Sequence, residues 1–131
     1  MKIEFVAEIV EIIDDPLGSI RGLHLGEGDP ERGGEHWNFT EMVPRDTDPL
    51  FAGVCTVKEI QHCTVYGGIT RFDITPSSLH CTFDSRAAGK TGISDLLVTF
   101  SVIPEDWIRM KAVVEYLFED ADCLTITDSG T

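Results

Sequence analysis

The chain has 131 residues, of which 23 are Asp or Glu and 10 are Lys or Arg, for a net charge of −13. That length suits one domain with enough buried surface for a core, and 42% hydrophobic with 25% charged residues is a globular composition. No stretch approaches the ~18 apolar residues of a membrane-spanning helix, and so acidic a chain repels the phosphates of nucleic acid and of anionic membranes.

Residues 2–13, Lys-Ile-Glu-Phe-Val-Ala-Glu-Ile-Val-Glu-Ile-Ile, alternate as one long strand, with Ile3, Phe5, Ala7 and Ile9 on one face and Lys2, Glu4 and Glu8 on the other. The alternation slips after Ile9, as at a bulge or an exchange of faces. The glutamates here stand where a signal peptide needs an apolar run, so a cytoplasmic protein is expected. Asp14-Asp15-Pro16-Leu17-Gly18 is turn chemistry, and Ser19 to Leu25 reads as the returning strand of an antiparallel hairpin. A turn also explains the paired carboxylates of Asp14 and Asp15 better than a catalytic role does.

Residues 26–34, with four glycines and a proline, form a loop. They match no phosphate-cradling pattern. His36 to Met42 resumes a strand, with His36, Asn38 and Thr40 alternating against Trp37 and Phe39. Residues 44–49 are a second loop without the ligand spacing of a calcium site. Residues 54–84 carry the strongest strand signal, read as three strands: Gly53 to Glu59, then Cys63 to Ile69 continuing through Thr75, then the strand of Leu79, Cys81 and Phe83 after a turn at Pro76. Gly67-Gly68 interrupts the second strand and marks a bulge or the close approach of another backbone. Residues 85–92 suit one helical turn, capped by Asp84 or Ser85 and ended by Gly89.

Leu96 to Val102 alternates again. From Pro104 the period changes: Trp107, Met110, Val114, Leu117 and Phe118 fall three or four apart, the stripe of an amphipathic helix. Pro104 suits its first position, Glu105 and Asp106 suit its positive end, and Glu105 with Arg109 is a favourable i,i+4 pair. Residues 123–127 read as an edge strand and 128–131 as a frayed end. The expected fold is therefore α+β: one domain over 1–131, mainly antiparallel sheet, with one long C-terminal helix packed on it and a short helix near 85–91.

The four cysteines (55, 63, 81, 123) include no Cys-x-x-Cys, and the histidines at 24, 36, 62 and 80 complete no zinc spacing. Reduced, buried thiols are expected, and no metal or cofactor. No nucleophile sits on a strand-turn-helix elbow, although a triad assembled from distant positions leaves no spacing to read. The charge is uneven. Residues 1–50 hold 12 acids and 4 bases, residues 51–102 hold 4 and 4, and residues 103–131 hold 7 and 2. Such a field draws in a basic protein surface; the plainer reading is that it keeps the chain soluble. For a partner site, the candidate anchor is Trp37, flanked by Glu35 and Glu41, since tryptophan is favoured at interface hot spots. Its alternative is a core tryptophan at a strand start. Glu27, Asp29 and Glu31 in the glycine loop complete the candidate partner-binding set, against plain solvation.

The run Val-Cys-Thr-Val … Thr-Val-Tyr-Gly-Gly-Ile-Thr-Arg-Phe, then Leu-His-Cys-Thr-Phe, then Ser-Arg-Ala-Ala-Gly-Lys-Thr-Gly, then a strand and a helix, resembles the immunity protein 10 family. Its most distinctive element is carried by Cys55, Val57, Val65, Tyr66, Gly67, Gly68 and Ile69, and the likeness covers roughly residues 35–118. The resemblance implies a non-catalytic bacterial protein that neutralises a polymorphic toxin by direct binding, with the cognate toxin domain as partner. It fixes no contact residue. The other readings that remain are an accessory or assembly module binding some other protein or a small ligand, and an enzyme with an unrecognised site.

Overall fold

The computed structural model describes residues 1–15, 17–28, 34–44, 53–58 and 63–128. In chain order the elements are β1 (Lys2–Val6), β2 (Ile9–Ile13), β3 (Ile20–Gly26), β4 (His36–Met42), β5 (Cys55–Lys58), β6 (Cys63–Tyr66), β7 (Ile69–Thr75), β8 (Ser78–Phe83), α1 (Ser85–Thr91), β9 (Asp95–Thr99), α2 (Pro104–Leu117) and β10 (Leu124–Ile126). The class is α+β, and the strands form two sheets. The first runs β1-β9-β8-β7-β10, and the second is the meander β2-β3-β4-β5-β6. The meander is antiparallel throughout. The first sheet is mixed, with β1 parallel to β9 and β10 parallel to β7.

Residues 2–13 are two strands rather than one, because the chain changes sheet where the alternation slips. The N–H of Ala7 donates to Thr99 O in the first sheet at 2.8 Å, and the N–H of Glu8 donates to Gly26 O in the second at 2.9 Å. Successive backbone groups of an extended chain point to opposite sides, so neighbouring donors reach opposite sheets without leaving either unsatisfied. The same device recurs at Gly67-Gly68. Gly67 N–H donates to Val54 O at the end of the second sheet, and Gly68 O accepts from Asp84 N–H in the first. The 54–84 stretch therefore holds four strands, not three. The expected close approach is present: both glycines have positive φ, and a Cβ built on Gly53 would lie 2.7 Å from Gly67 Cα.

The inner faces follow from strand alternation. Leu23 and Leu25 of β3, Trp37 and Phe39 of β4 and Val65 of β6 point inward, facing Phe72, Ile74, Leu79, Cys81, Leu96 and Val98 of the first sheet. Aromatic rings bridge the layers. Trp37 stacks on Phe83 with centroids 5.8 Å apart, and Phe39 meets Phe72 edge-on at 5.3 Å. Phe72 also meets Phe118, just past α2, at 4.6 Å.

α2 has 14 residues, about 21 Å, an ordinary length rather than the long helix expected. It stops at Leu117 because Phe118 leaves helical geometry while its ring stays buried. Trp107, Met110, Val113, Val114 and Leu117 form its buried stripe. It lies against β2 and β3 of the second sheet and against β10 of the first, so it closes the gap between sheets instead of covering one. Arg109 turns from Glu105 to Asp106 and to Asp14, where a planar guanidinium gains a two-pronged contact. Asp128 is not frayed: it accepts from Trp107 Nε1 and from Lys111 Nζ. Among the described residues no helix is long and apolar enough to cross a membrane.

α1 is capped by the Asp84 carboxylate, which accepts from Ala87 N–H at 2.8 Å, and it ends at Gly92, not Gly89. Gly92 N–H donates to Ala88 O, while Gly89 sits inside the helix with open space around it. The two glycines of this region therefore respond oppositely to the same change. Gly68→Ala places a Cβ 2.7 Å from Ala87 Cβ at a φ of +82°, and should lower unfolding free energy by about 1–3 kcal/mol from backbone strain alone. Gly89→Ala should raise it by about 0.5–1 kcal/mol. Urea unfolding midpoints of the two variants check both signs.

Candidate functional site

The four described acids and aromatics proposed for partner contact lie at the two ends of β4. At its start, Glu27 and Glu35 fasten the base of the glycine loop: Glu27 N–H donates to Glu35 O, and Glu35 N–H donates to the Glu27 carboxylate, each at 2.9 Å. Glu35 Oε1 in turn accepts from Trp37 Nε1 at 3.1 Å. Trp37 is fully buried between the sheets, which is the core alternative, so its ring offers a partner no surface. The reason is register: Trp37 pairs with Leu25 on the inward side of β4. Asp29 and Glu31 lie outside the described residues. Glu41 stands at the far end of β4, about 20 Å from Glu35 at ~3.3 Å per residue. It is 8% exposed, and its carboxylate accepts from Met42 N–H.

Glu41 separates two clefts. The first, about 340 Å³, lies between the Gly67-Gly68 crossover and the end of α2, with Leu117, Phe118, Asp120 and Cys123 among its walls. The second, about 270 Å³, lies on the outer side of the second sheet, lined by Ile20, Thr40, Met42, Cys55 and Tyr66. Glu41 and Gly53 border both. Ile20 and Met42 are register partners across β3 and β4. With Val43 they leave 39%, 44% and 37% of their surface in water. These residues were missed in the sequence because they occupy outward strand positions, and only the pairing of four strands brings them together.

The thiols in these clefts are poor nucleophiles. Burial raises the pKa of Cys55 despite hydrogen bonds from Thr40 and Tyr66, and the Glu41 charge adds to the rise. Burial also raises Cys123. A thiol held above its ordinary value stays protonated near neutrality, and the protonated form does not attack. Among the described residues no group of three or more His, Cys, Asp or Glu is placed to hold a metal.

A second polar cluster, which residue spacing does not reveal, runs across the outer side of β2, β3 and β4. Glu11 Oε1 lies 2.8 Å from His24 Nδ1, and His24 Nε2 lies 3.0 Å from His36 Nδ1. A carboxylate only accepts, so with both rings neutral each Nδ1 carries the proton and His36 Nε2 is left a bare acceptor. That nitrogen is buried with no hydrogen-bond partner among the described residues, and His36 is 5% exposed. Gly26 faces it in register; a Cβ there would fall 2.2 Å from His36 Nδ1. On the first sheet, His80 Nε2 pairs with Asp95 Oδ1 at 2.9 Å on the solvated face.

The bases of α2 are engaged within the chain. Arg109 donates to both oxygens of Asp14, at 2.7 and 3.1 Å, and Lys111 to Asp128 at 2.6 Å. Arg21 lies over the Tyr116 ring at 5.0 Å, and Tyr116 OH donates to Met42 O at 2.6 Å. The two Tyr116 contacts dock the end of α2 onto the strand end that carries Ile20 and Met42.

Comparison with protein-family models, with curated proteins and with solved structures finds no match. The family resemblance therefore rests on the quoted residues alone.

The Asp14–Arg109 contact predicts a pH dependence. The hydrogen bond from Arg109 holds the Asp14 carboxyl below its ordinary value of 3.8. A depressed folded-state pKa contributes stability above the unfolded value and loses it as pH falls through the folded one. Arg109→Ala should thus be less stable than the parent at pH 5–7, with the gap closing as pH drops below about 3.8, as read by thermal unfolding across the range. For the thiols, Cys81 is fully buried and burial pushes its pKa far up. Site-resolved iodoacetamide labelling at neutral pH should leave Cys81 unmodified in the folded protein and modify it in urea. Labelling of folded Cys81 as fast as Cys123 would contradict the packing.

Proposed function

We propose that this chain is a non-catalytic binding protein that neutralises a toxin domain by covering it, the role that the immunity-family resemblance implies. The observation that carries this reading is the pairing of an exposed apolar surface with strong negative charge. Ile20, Met42 and Val43 are exposed side by side at one end of the second sheet, in a segment, residues 1–50, with eight more acids than bases. Contiguous exposed apolar surface rimmed by polar groups marks interaction sites, and the charge speeds the approach of a basic partner. The residues behind the resemblance support the same reading. Cys55, Val57, Val65, Tyr66, Gly67, Gly68 and Ile69 span β5, β6, the sheet crossover and the start of β7, and Cys55 and Tyr66 among them line the recess at the exposed end.

A second reading, an accessory module that binds a small ligand, draws on the two clefts. The larger, about 340 Å³, falls at the lower edge of the roughly 300–1,000 Å³ of small-molecule sites.

The test is co-expression with the toxin domain encoded beside this chain. Neutralisation should restore growth, and the purified pair should elute as one complex whose affinity falls with added salt. Equal killing with and without this protein would refute the immunity role.

A further inference from the structure

We infer that the cleft between Ile20, Met42 and Tyr66 is the docking point for one large apolar side chain presented on a basic segment of the partner. The inference deepens the binding-protein reading and rests on it. At about 270 Å³, the cleft lies just under the roughly 300–1,000 Å³ range of small-molecule sites, which favours an inserted side chain over a free ligand. Its walls are the kinds of group that interfaces use: a methionine that adapts its shape, an isoleucine, and a tyrosine, a residue type enriched at hot spots. Thr40 and Cys55 line it between them, and the raised pKa of Cys55 leaves its thiol a small neutral surface.

The contrast with the rest of the sheet surface is chemical. The outer side of the first sheet carries Lys2, Glu4, Arg71, Asp73, His80 and Asp95 in ion pairs. The outer side of the second sheet ends instead in the Ile20–Met42 pair, with Val43 beside it and Leu17 fully exposed in the preceding turn. Leaving such groups in water gives up burial worth roughly 25 cal/mol per Å², which a partner recovers.

Charge selects the occupant. The carboxylate on the cleft wall is Glu41, and Asp120 lines the adjoining cleft. Two bases border the recess: Arg21, the register partner of Glu41, and Arg86, which donates to Tyr66 O, so the selection comes from the net charge of −13. A second copy of this chain brings another net −13 to the contact and is repelled. A segment with Lys or Arg on either side of an apolar residue fills the recess and complements the net charge of the chain.

The test is an NMR titration of the isotope-labelled full chain with the peptide acetyl-Lys-Lys-Leu-Phe-Lys-Lys-amide, and with its counterpart in which Glu replaces every Lys. The basic peptide should move the amide resonances of Ile20, Thr40, Met42, Cys55 and Tyr66. The acidic peptide should leave them in place. Met42→Arg puts a positive charge at the mouth and should weaken the basic peptide at least tenfold. Val6→Arg, at an exposed apolar residue on the first sheet, should not change it. Absence of binding, shifts confined to other residues, equal binding of the acidic peptide, or equal affinity in the two variants would each overturn the docking assignment. Toxin neutralisation separates this from the parent reading. If Met42→Arg protects cells as well as the parent chain does, the cleft assignment fails and the immunity role stands. If the peptide docks in the cleft while the toxin kills unhindered, the reverse holds.

Discussion

Two places where neighbouring backbone groups bond to different sheets hold this molecule together. At Ala7-Glu8 and again at Gly67-Gly68, one residue completes the ladder of one sheet and the next begins that of the other. A buried peptide group without a partner costs as much as a lost hydrogen bond, so each crossing tolerates little displacement. Together they hold the sheets face to face at a spacing that aromatic rings fill, with Trp37 on Phe83 and Phe39 on Phe72. Phe118, just past the end of α2, joins the same stack. The second crossing also forms a wall of the larger cleft, so the constraint that closes the core shapes the surface.

The polar groups divide by location more than by type. Glu27 and Glu35 tie down a loop and an indole, and Asp84 caps α1. Asp14 and Asp128 hold α2 through Arg109, Lys111 and Trp107. These carboxylates have structural work inside the chain. The excess of acid over base remains as a field around the molecule, which steers encounters without specifying a contact. The Ile20–Met42 end of the second sheet combines a recess with exposed apolar side chains, the surface on which the proposed binding role rests. Burial raises the pKa of the Cys55 thiol that lines this recess.

Much of the architecture was legible before any coordinates. Strand alternation placed Phe5, Leu79, Cys81, Phe83, Leu96 and Val98 inward, and the three-to-four spacing of Trp107, Met110, Val114 and Leu117 marked α2 and its buried stripe. Asp84 was readable as a cap. The slip after Ile9 and the glycine pair at 67–68 were visible as irregularities. Their shared meaning, a change of sheet, was hidden, because alternation reports which side a residue faces and never which sheet pairs with it. The end of α1 was misplaced for a related reason. Gly89 and Gly92 are both plausible stops by type, and only Gly92 adopts the left-handed conformation there.

The sequence alone determined local periods, turns, caps and total charge, since these depend on residues within a few positions of one another. The tertiary structure alone decided register and partnership. It buried Trp37, linked Glu11, His24 and His36 across three strands, and gathered Ile20, Met42, Cys55 and Tyr66 around one recess. Those outcomes depend on which strands lie side by side. That choice is made by the packing of the whole core, and no short stretch of chain encodes it.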